Sequence, residues 1–364
     1  MNFKRTGSIF AIAAVGTMLL ASCAGNEGAA EAGDSASASD LSGTINGIGS
    51  SAQGTAETTW AAGFQTANPD VTVNYDPQGS GSGRTSFISG AADFAGSDAA
   101  LKDEELASEF AACAPGTKGI DLPVYISPIA LAYNVEGVDD LTLDAATIAG
   151  IFKGTITTWD DDAIVALNPD ADLPSESITA IHRSDDSGTT QNFTEYVKAN
   201  AGDVWDAESG QTFPYSTGDA AKGTSGVVDA INNSTNSIGY ADESGIGDLS
   251  AAKLMVGGEA SELTADGASQ AVAASPLAEG RESNDLAIKL DRTYDEAGSY
   301  PLVLVSYLIT CSEYADAEKG AVVKAYAEYV ASDEGQKAAA EQAGSAPLSS
   351  DLASKVAEAI ATIK

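Results

Sequence analysis

The sequence is short of cysteine, histidine and basic residues, and each shortage excludes a class of protein. Three cysteines and one histidine in 364 residues are too few for a zinc cluster or a haem site, so we expect no metal and no cofactor. Only 18 Lys and Arg residues are present beside 53 Asp and Glu residues. Duplex nucleic acid and anionic membranes are both bound through basic side chains, so neither is an expected partner.

The composition otherwise favours a folded, strongly acidic protein. Hydrophobic residues make up 43% of the chain and the mean hydropathy is −0.06, which is enough for ordinary cores. The formal charge is −35, and residues 1–22 contain two basic residues and no acidic one, which leaves −37 on the rest. A chain of 364 residues is long enough for two domains or one large one.

The amino terminus has the pattern of a targeting segment. Lys4 and Arg5 precede an apolar run over residues 9–20, which is shorter than the roughly 20 residues that a membrane span needs. The run ends in LASC, which resembles a bacterial lipobox, with cleavage before Cys23 and lipidation of that residue, including palmitate. We therefore predict a lipoprotein signal peptide over residues 1–22. The alternative is a plain secretory signal with a chance cysteine.

The residues after Cys23 are predicted to form a tether. Residues 24–40, AGNEGAAEAGDSASASD, are small and acidic and bury little apolar surface, so residues 23–40 are expected to be flexible. The mature chain is then anchored at the extracytoplasmic face of a bacterial cell membrane. In that oxidising compartment Cys113 and Cys311 form a possible disulfide, and two unpaired buried thiols remain the alternative.

From Leu41 onward, short strand-like runs alternate with helix-like stretches, which indicates an α/β protein with largely parallel sheets. The predicted strands are LSGTING, VTVNYDP, SITAIHRS and two buried strands within LPVYISPIALAYNV. The predicted helices are ETTWAAGFQTANPD, the pattern through FISGAADF, TLDAATIAGIFKG, DDAIVALN and the amphipathic segments AVVKAYAEYVASDEGQKAAAEQA and SSDLASKVAEAIATI.

Three turns rich in Gly, Ser and Thr each precede a predicted helix: residues 46–51, residues 79–83 and residues 186–190. A helix start leaves backbone N–H groups without partners and carries partial positive charge. Glycine permits close backbone approach, and hydroxyls add donors, so the three turns together predict one oxyanion site. The alternative is that each turn is only a helix cap.

Three charged residues near these turns refine the predicted ligand. Arg183 can offer a planar fork to an oxyanion, and Asp185 can orient that fork, although a surface ion pair would leave the same pattern. Asp98 would repel an anion unless the ligand carries a proton to donate, as hydrogen phosphate does and sulfate does not. The alternative for Asp98 is another helix cap.

Four segments of the chain carry a specific resemblance: QGSGSGRTSFISGAADFAGSDAAL, IAGIFKGTITTWDDDAIVALNPD, HRSDDSGTTQNFTEYV and NSIGYADES. They resemble, in the family's order, segments of the phosphate-binding proteins of the high-affinity phosphate ABC transporter, the PstS family. The resemblance runs from about Gly47 to Pro347, which is most of the mature chain.

The resemblance implies a set of phosphate-binding residues. Asp98 would accept the phosphate proton, Arg183 would pair with phosphate oxygens and Asp185 would flank Arg183. The family usually has Thr-Phe-Pro where this chain has Ser51-Ala52-Gln53, so the backbone donor persists without the aromatic wall. The full implied set is Ser51, Ala52, Ser80, Asp98, Arg183, Ser187, Gly188 and Thr189, with Asp185 as support.

The resemblance also implies the fold and the role of the protein. The fold would be the two-lobed type II periplasmic-binding-protein-like fold, with two α/β domains joined by two hinge crossings near residues 126–128 and 300–301. The first lobe would comprise residues 41–127 and 301–364, which contain both cysteines, and the second lobe residues 128–300. Such a protein is a receptor, expected to be a monomer, that delivers inorganic phosphate to a membrane ABC permease and its ATPase.

Three other functions remain open at this point. A serine hydrolase or phosphatase is disfavoured because GSGSG does not match G-x-S-x-G, and only His182 could act as an imidazole base. A receptor for sulfate, molybdate or another oxyanion would have to tolerate Asp98. A phosphate sensor that never feeds a transporter would share the same binding residues.

Overall fold

The structure, a computed structural model, describes residues 41–364, so the predictions for residues 1–22, the tether and Cys23 lie outside it. Within that range, no helix combines the length and the apolar character needed to cross a membrane.

Twelve strands are present among the described residues: β1 Gly43–Gly49, β2 Val71–Asp76, β3 Phe94–Ser97, β4 Gly119–Asn134, β5 Thr142–Leu143, β6 Thr179–Arg183, β7 Asp219–Ala221, β8 Ser237–Asp242, β9 Ser250–Ala251, β10 Lys253–Val256, β11 Glu259–Ser261 and β12 Val303–Cys311.

The same residues form eleven α-helices and one 3₁₀ turn at Glu243–Gly245. The helices are α1 Gly54–Ala67, α2 Ser80–Ile88, α3 Asp103–Leu106, α4 Ala145–Lys153, α5 Asp162–Leu167, α6 Gly188–Ala201, α7 Gly223–Asn232, α8 Ala265–Ala273, α9 Ala317–Ala331, α10 Asp333–Ala343 and α11 Ser350–Ala361. The first C-terminal amphipathic segment is thus two helices, because the Ser332 side chain accepts a bond from the Gly335 N–H and caps α10.

The main sheet is mixed rather than largely parallel, which corrects the sequence prediction. Its strand order is β2-β1-β3-β12-β4-β8-β6-β7, with β9 paired to β4. The outer pairs β1–β2, β1–β3, β6–β8 and β6–β7 are parallel, whereas β12 and β4 at the centre pair antiparallel with each other and with β3 and β8. A second sheet of three strands has the order β11-β10-β5.

The passage LPVYISPIALAYNV, predicted as two strands, lies except for its last residue within one strand, β4, that passes through both of its prolines. A proline has no N–H for the strand ladder and is tolerated at a bulge or where pairing stops. Pro123 lies opposite a register shift between Ser306 and Tyr307, and Pro128 is the last residue paired with β12. From Ile129 onward β4 pairs with β8 instead.

The change of partner along β4 divides the main sheet into two halves. The amino-terminal half of β4 completes β2-β1-β3-β12, and its carboxyl-terminal half begins β8-β6-β7. The change of partner lies between Pro128 and Ile129, one residue after the boundary predicted between residues 127 and 128. The lobe boundaries themselves stay a prediction.

The helix after the second glycine-rich turn, predicted over Arg84 to Ala92, begins and ends four residues earlier. It begins at Ser80 within the turn and ends at Ile88, and Gly90 then has a φ of +75° that ends the helical path. Phe94, which the helical pattern included, belongs to β3 instead, where it is fully buried. This places Asp98 directly after the carboxyl end of a buried strand.

A disulfide and a long connection tie distant parts of the chain to the first half of the sheet. Cys113 and Cys311 are disulfide-bonded, which joins the loop before β4 to the end of β12. The connection 274–302 contacts β4, because Arg281 pairs with Asp121 at 3.2 Å.

Candidate functional site

The three glycine-rich turns lie at the starts of α1, α2 and α6, as the sequence analysis expected, but only one hydroxyl serves as a cap. The Ser187 side chain accepts a bond from the Thr190 N–H and caps α6. The residues at the starts of α1 and α2, Gln53 and Gly79, make no side-chain cap. Gly79 has a φ of +103°, a conformation that glycine adopts without strain.

Asp98 is the point at which these elements meet. Its side chain is 4% exposed, and its Oδ2 accepts bonds from the hydroxyls of Thr189 at 3.3 Å and Ser80 at 3.4 Å. Ser80 also fixes the backbone, since its Oγ accepts the Asp98 N–H at 3.1 Å. Ser80 belongs to α2 and Thr189 to α6, so the carboxylate joins two of the three turns.

Burial raises the pKa of the Asp98 carboxyl, because removal from water disfavours its charged form. Hydrogen bonds from Ser50 and Ser306 and the charge of Arg183 act in the opposite sense but do not cancel the effect of burial. The result is a buried acceptor whose protonation state is sensitive to its neighbours.

Arg183 ends β6 and supplies the positive charge of the cluster. It is 3% exposed, and its Nε and Nη2 bind Asp185 as a fork at 2.8 and 2.5 Å. Burial alone would raise the pKa of Asp185, but the hydrogen bonds and charge of Arg183 lower it below its usual value. Nη1 of Arg183 lies 3.5 Å from the Thr189 hydroxyl, so the guanidinium faces the same group as Asp98 does.

The first turn reaches the cluster through Ser50, a residue that the sequence analysis did not single out. The Ser50 hydroxyl accepts the Ala52 N–H at 3.1 Å and interacts with Asp98. The Ser51 hydroxyl instead contacts Thr224 at the start of α7, with its oxygen 3.0 Å from the Thr224 N. Among the predicted residues, the structure therefore brings the backbone of Ala52 toward the cluster and directs the Ser51 side chain to its edge.

Gly188 is the point of closest packing between the turns. A Cβ at this position would lie 2.6 Å from the Ser80 Oγ and 2.7 Å from the Asp98 Cβ. Any side chain would push α6 away from both residues. Glycine at the start of α6 therefore permits the approach of its backbone N–H groups to Asp98.

Three further residues form hydrogen bonds to Asp98 or to its neighbour Ser97. The Ser306 hydroxyl donates to Oδ1 of Asp98 at 2.9 Å, and the Asn192 amide donates to the Asp98 carbonyl at 2.7 Å. Arg84 is buried, binds both carboxylate oxygens of Glu105, and donates to the Ser97 hydroxyl beside Asp98. The sequence does mark Ser306 as unusual, since it is a polar residue within the apolar run VLVSYLI.

The arrangement offers hydroxyls, backbone N–H groups, one guanidinium and one carboxylate, which are groups that bind a protonated oxyanion. His182 does not take part: its ring stacks on Phe213 and its Nδ1 lies 3.0 Å from the Arg183 carbonyl oxygen. Within residues 41–364, no Ser or Thr hydroxyl hydrogen-bonds to that imidazole. No group of three or more potential metal-ligating side chains occurs in the same range.

Comparison of sequences relates the chain to one family. The family model described as "PBP superfamily domain" matches residues 34–334. Phosphate-binding protein PstS 3 of Mycobacterium tuberculosis is 36% identical over 338 residues, which cover 90% of each chain. Phosphate-binding protein PstS2 of Mycobacterium bovis is 34% identical over 373 residues, which cover all of both chains.

Solved structures share the fold at lower sequence identity. A high-affinity periplasmic phosphate-binding protein, PfluDING, bound with phosphate, superimposes with a TM-score of 0.70 at 24% identity, over 86% of this chain and 93% of that one. The phosphate-binding protein from Stenotrophomonas maltophilia gives a TM-score of 0.70 at 19% identity, over 87% and 93%. These likenesses, with the family match, establish the type II periplasmic-binding-protein-like fold.

Proposed function

The chain belongs to the PstS family of phosphate-binding proteins within the PBP superfamily, and on that premise we propose that it is a receptor that binds inorganic phosphate between its two lobes. The observation that carries the proposal is the buried carboxylate of Asp98 amid hydroxyl donors, with the Arg183 guanidinium beside the same threonine. A carboxylate in an oxyanion site is useful only for a ligand that donates a proton.

The binding residues follow from the groups that meet at Asp98. Arg183 and the hydroxyls of Ser80 and Thr189 would donate to the phosphate oxygens, and Asp98 would accept the phosphate proton. Gly188 would donate through its N–H group. The Ala52 N–H, which donates to Ser50 Oγ, and the Ser187 N–H, which donates to the Gln211 carbonyl, would exchange those acceptors for the ligand, and the Ser187 hydroxyl caps α6. Ser51 would turn from Thr224 to the ligand, and Asp185 would hold the Arg183 fork.

The same geometry explains selection against sulfate. Sulfate is fully ionised near neutral pH, so its oxygens would face the Asp98 carboxylate without a shared proton. An unpaired acceptor buried beside an anion costs free energy, so sulfate would bind less favourably than hydrogen phosphate. We propose accordingly that the protein acts by binding, without a catalytic step.

Calorimetric titration with phosphate and then sulfate tests the proposal, on the mature chain after Cys23 and on its Asp98→Asn variant. We expect phosphate heat and no sulfate heat from the wild type. The variant, whose amide can donate to an oxyanion, should lose phosphate affinity and gain sulfate binding. Equal binding of both anions by the wild type would refute the selectivity argument, and absence of phosphate binding would refute the function.

The location and partners complete the proposal. The protein would be a lipoprotein held at the extracytoplasmic face of the membrane through Cys23, where it would deliver phosphate as a monomer to an ABC permease and its ATPase. Residues 41–127 with 301–364 would form one lobe and residues 128–300 the other. The Cys23→Ala variant should appear in the culture medium, and its continued retention in the membrane fraction would contradict the anchor.

A further inference from the structure

A groove beside Asp98 gathers an unusual share of the positive charge of this acidic protein. It has a volume of about 630 Å³ and extends from Asp98 and Asn192 to the connection 274–302. Two of the 18 basic residues in the sequence precede residue 41, and five of the others line this groove. Those five are Lys102, Lys198, Arg281, Lys289 and Arg292.

The two arginines of the groove are largely engaged by neighbouring groups. Arg281 pairs with Asp121 and Asp285, and Arg292 pairs with Glu195. Arg292 is nevertheless 7% exposed and its Nε has no hydrogen-bond partner, so a buried charged donor at the groove is left unsatisfied. Such a donor is expected to take an acceptor from an incoming group.

The three lysines are free to attract an anion. Lys102, Lys198 and Lys289 come from the loop before α3, from α6 and from the connection 274–302, so they surround the groove from separate elements. In the part of the chain that the structure describes, none of the three forms an ion pair with a carboxylate. Asp98, Asp103 and Glu195 also line the groove, so its five basic residues still outnumber its three acidic ones.

The groove is connected to the candidate site by hydrogen bonds. Arg292 Nη2 donates to the Asn192 side-chain oxygen, and the Asn192 amide donates to the Asp98 carbonyl at 2.7 Å. An anion held at Arg292 would thus be linked through Asn192 to the backbone carbonyl of Asp98, the residue proposed to accept the phosphate proton. We propose that this groove is an encounter site that captures hydrogen phosphate from solution before it enters the buried site.

The need for such a site follows from the net charge. The formal net charge of −37 on the residues after Ser22 repels a phosphate dianion as it approaches. A cleft lined by positive charge can raise the association rate of an anion by about 10–1,000-fold. The inference rests on the proposed function, because it assumes that phosphate is the ligand. It adds the route of entry and the residues that line it.

Stopped-flow tryptophan fluorescence on the mature chain tests the encounter site. The variant Lys102→Gln/Lys198→Gln/Lys289→Gln is compared with Lys337→Gln/Lys355→Gln/Lys364→Gln, which removes the same charge from the carboxyl-terminal segment. We expect the groove variant to lose about fivefold to tenfold in phosphate association rate at low ionic strength, and the control less than about twofold. The two proteins should converge near 1 M salt, where the screening length is about 3 Å.

The outcomes separate the inference from the function on which it rests. Equal association rates in the groove variant and the wild type would overturn the encounter site while phosphate binding stands. An equal loss in the control would also overturn it, because net charge alone would then explain the rates. Absence of phosphate binding by calorimetry in the wild type would overturn the proposed function, and the encounter site with it.

Discussion

Removal of the Ser306 hydroxyl should make the stability of this protein more sensitive to pH. Ser306 is fully buried on β12 and donates to Oδ1 of Asp98 at 2.9 Å. Ser306→Ala deletes a hydrogen bond that lowers the pKa of Asp98, so burial would raise that pKa further. A protonated Asp98 could not accept a proton from phosphate, so phosphate affinity should also fall.

The size of the effect follows from the charge of the acceptor. A hydrogen bond to a charged group contributes about 1.5–3 kcal/mol, whereas one to a neutral group contributes about 0.5–1.5 kcal/mol. The difference of about 1 kcal/mol further favours the protonated form of Asp98, so its pKa rises further in the variant. Because this carboxyl has a higher pKa folded than unfolded, its contribution to stability is complete at acidic pH and is lost as the pH rises through the folded value.

Urea unfolding of the wild type and Ser306→Ala at pH 4 and pH 8 measures this effect. We expect a larger loss at pH 8 than at pH 4, because the loss approaches about 1.5–3 kcal/mol where Asp98 is charged and about 0.5–1.5 kcal/mol where it is protonated. Thr310→Val is the matched control, because Thr310 lies on the same strand with a buried hydroxyl that has no partner. Equal losses at the two pH values, or a loss in Thr310→Val as large as that in Ser306→Ala, would refute the reasoning.

Three further changes test other parts of the molecule. Arg183→Ala should weaken phosphate binding by at least about 1.5–3 kcal/mol, measured by calorimetry, and an unchanged affinity would remove Arg183 from the site. Loss of the disulfide in Cys113→Ser/Cys311→Ser should lower the free energy of unfolding in urea by about 2–5 kcal/mol, and no change would show that the bridge is dispensable. Burial raises the pKa of Glu57 to about 8, so the free energy of unfolding should fall by up to about 1.4 kcal/mol per pH unit between pH 4.5 and 8. Glu57→Gln should flatten this pH dependence in urea unfolding. An unaltered slope in the variant would contradict the raised pKa.

Local patterns predicted the outer parts of the fold well. The segment VTVNYDP matches β2, and the segments around α1, α4 and α5 match their helices to within a few residues. In each, the apolar spacing agrees with the element that the backbone adopts. The errors lie at the centre, where β4 is one strand because two separate partners, β12 and β8, continue it across Pro128. No local signal in LPVYISPIALAYNV reports those distant partners.

The candidate site was predictable to the extent that it is built from sequence motifs. The turn residues Ser80, Gly188 and Thr189 come together at Asp98 because each lies at the start of a helix. Ser306 comes from a strand more than 200 positions later, so only the pairing of β12 with β3 brings it to the site. Ser51 was predicted from its place in a motif, while the side chain that interacts with Asp98 is that of Ser50.

The place of β12 in the sheet has a consequence for how the chain folds. This strand inserts between β3 and β4, although it begins more than 200 residues after β3 ends and almost 170 residues after β4 ends. The amino-terminal half of the sheet therefore stays incomplete until residues 303–311 are available, and pairing over such separations slows folding. Asp98 acquires its Ser306 partner only when β12 has paired with β3. The candidate site is thus complete only once this long-range strand pairing has formed.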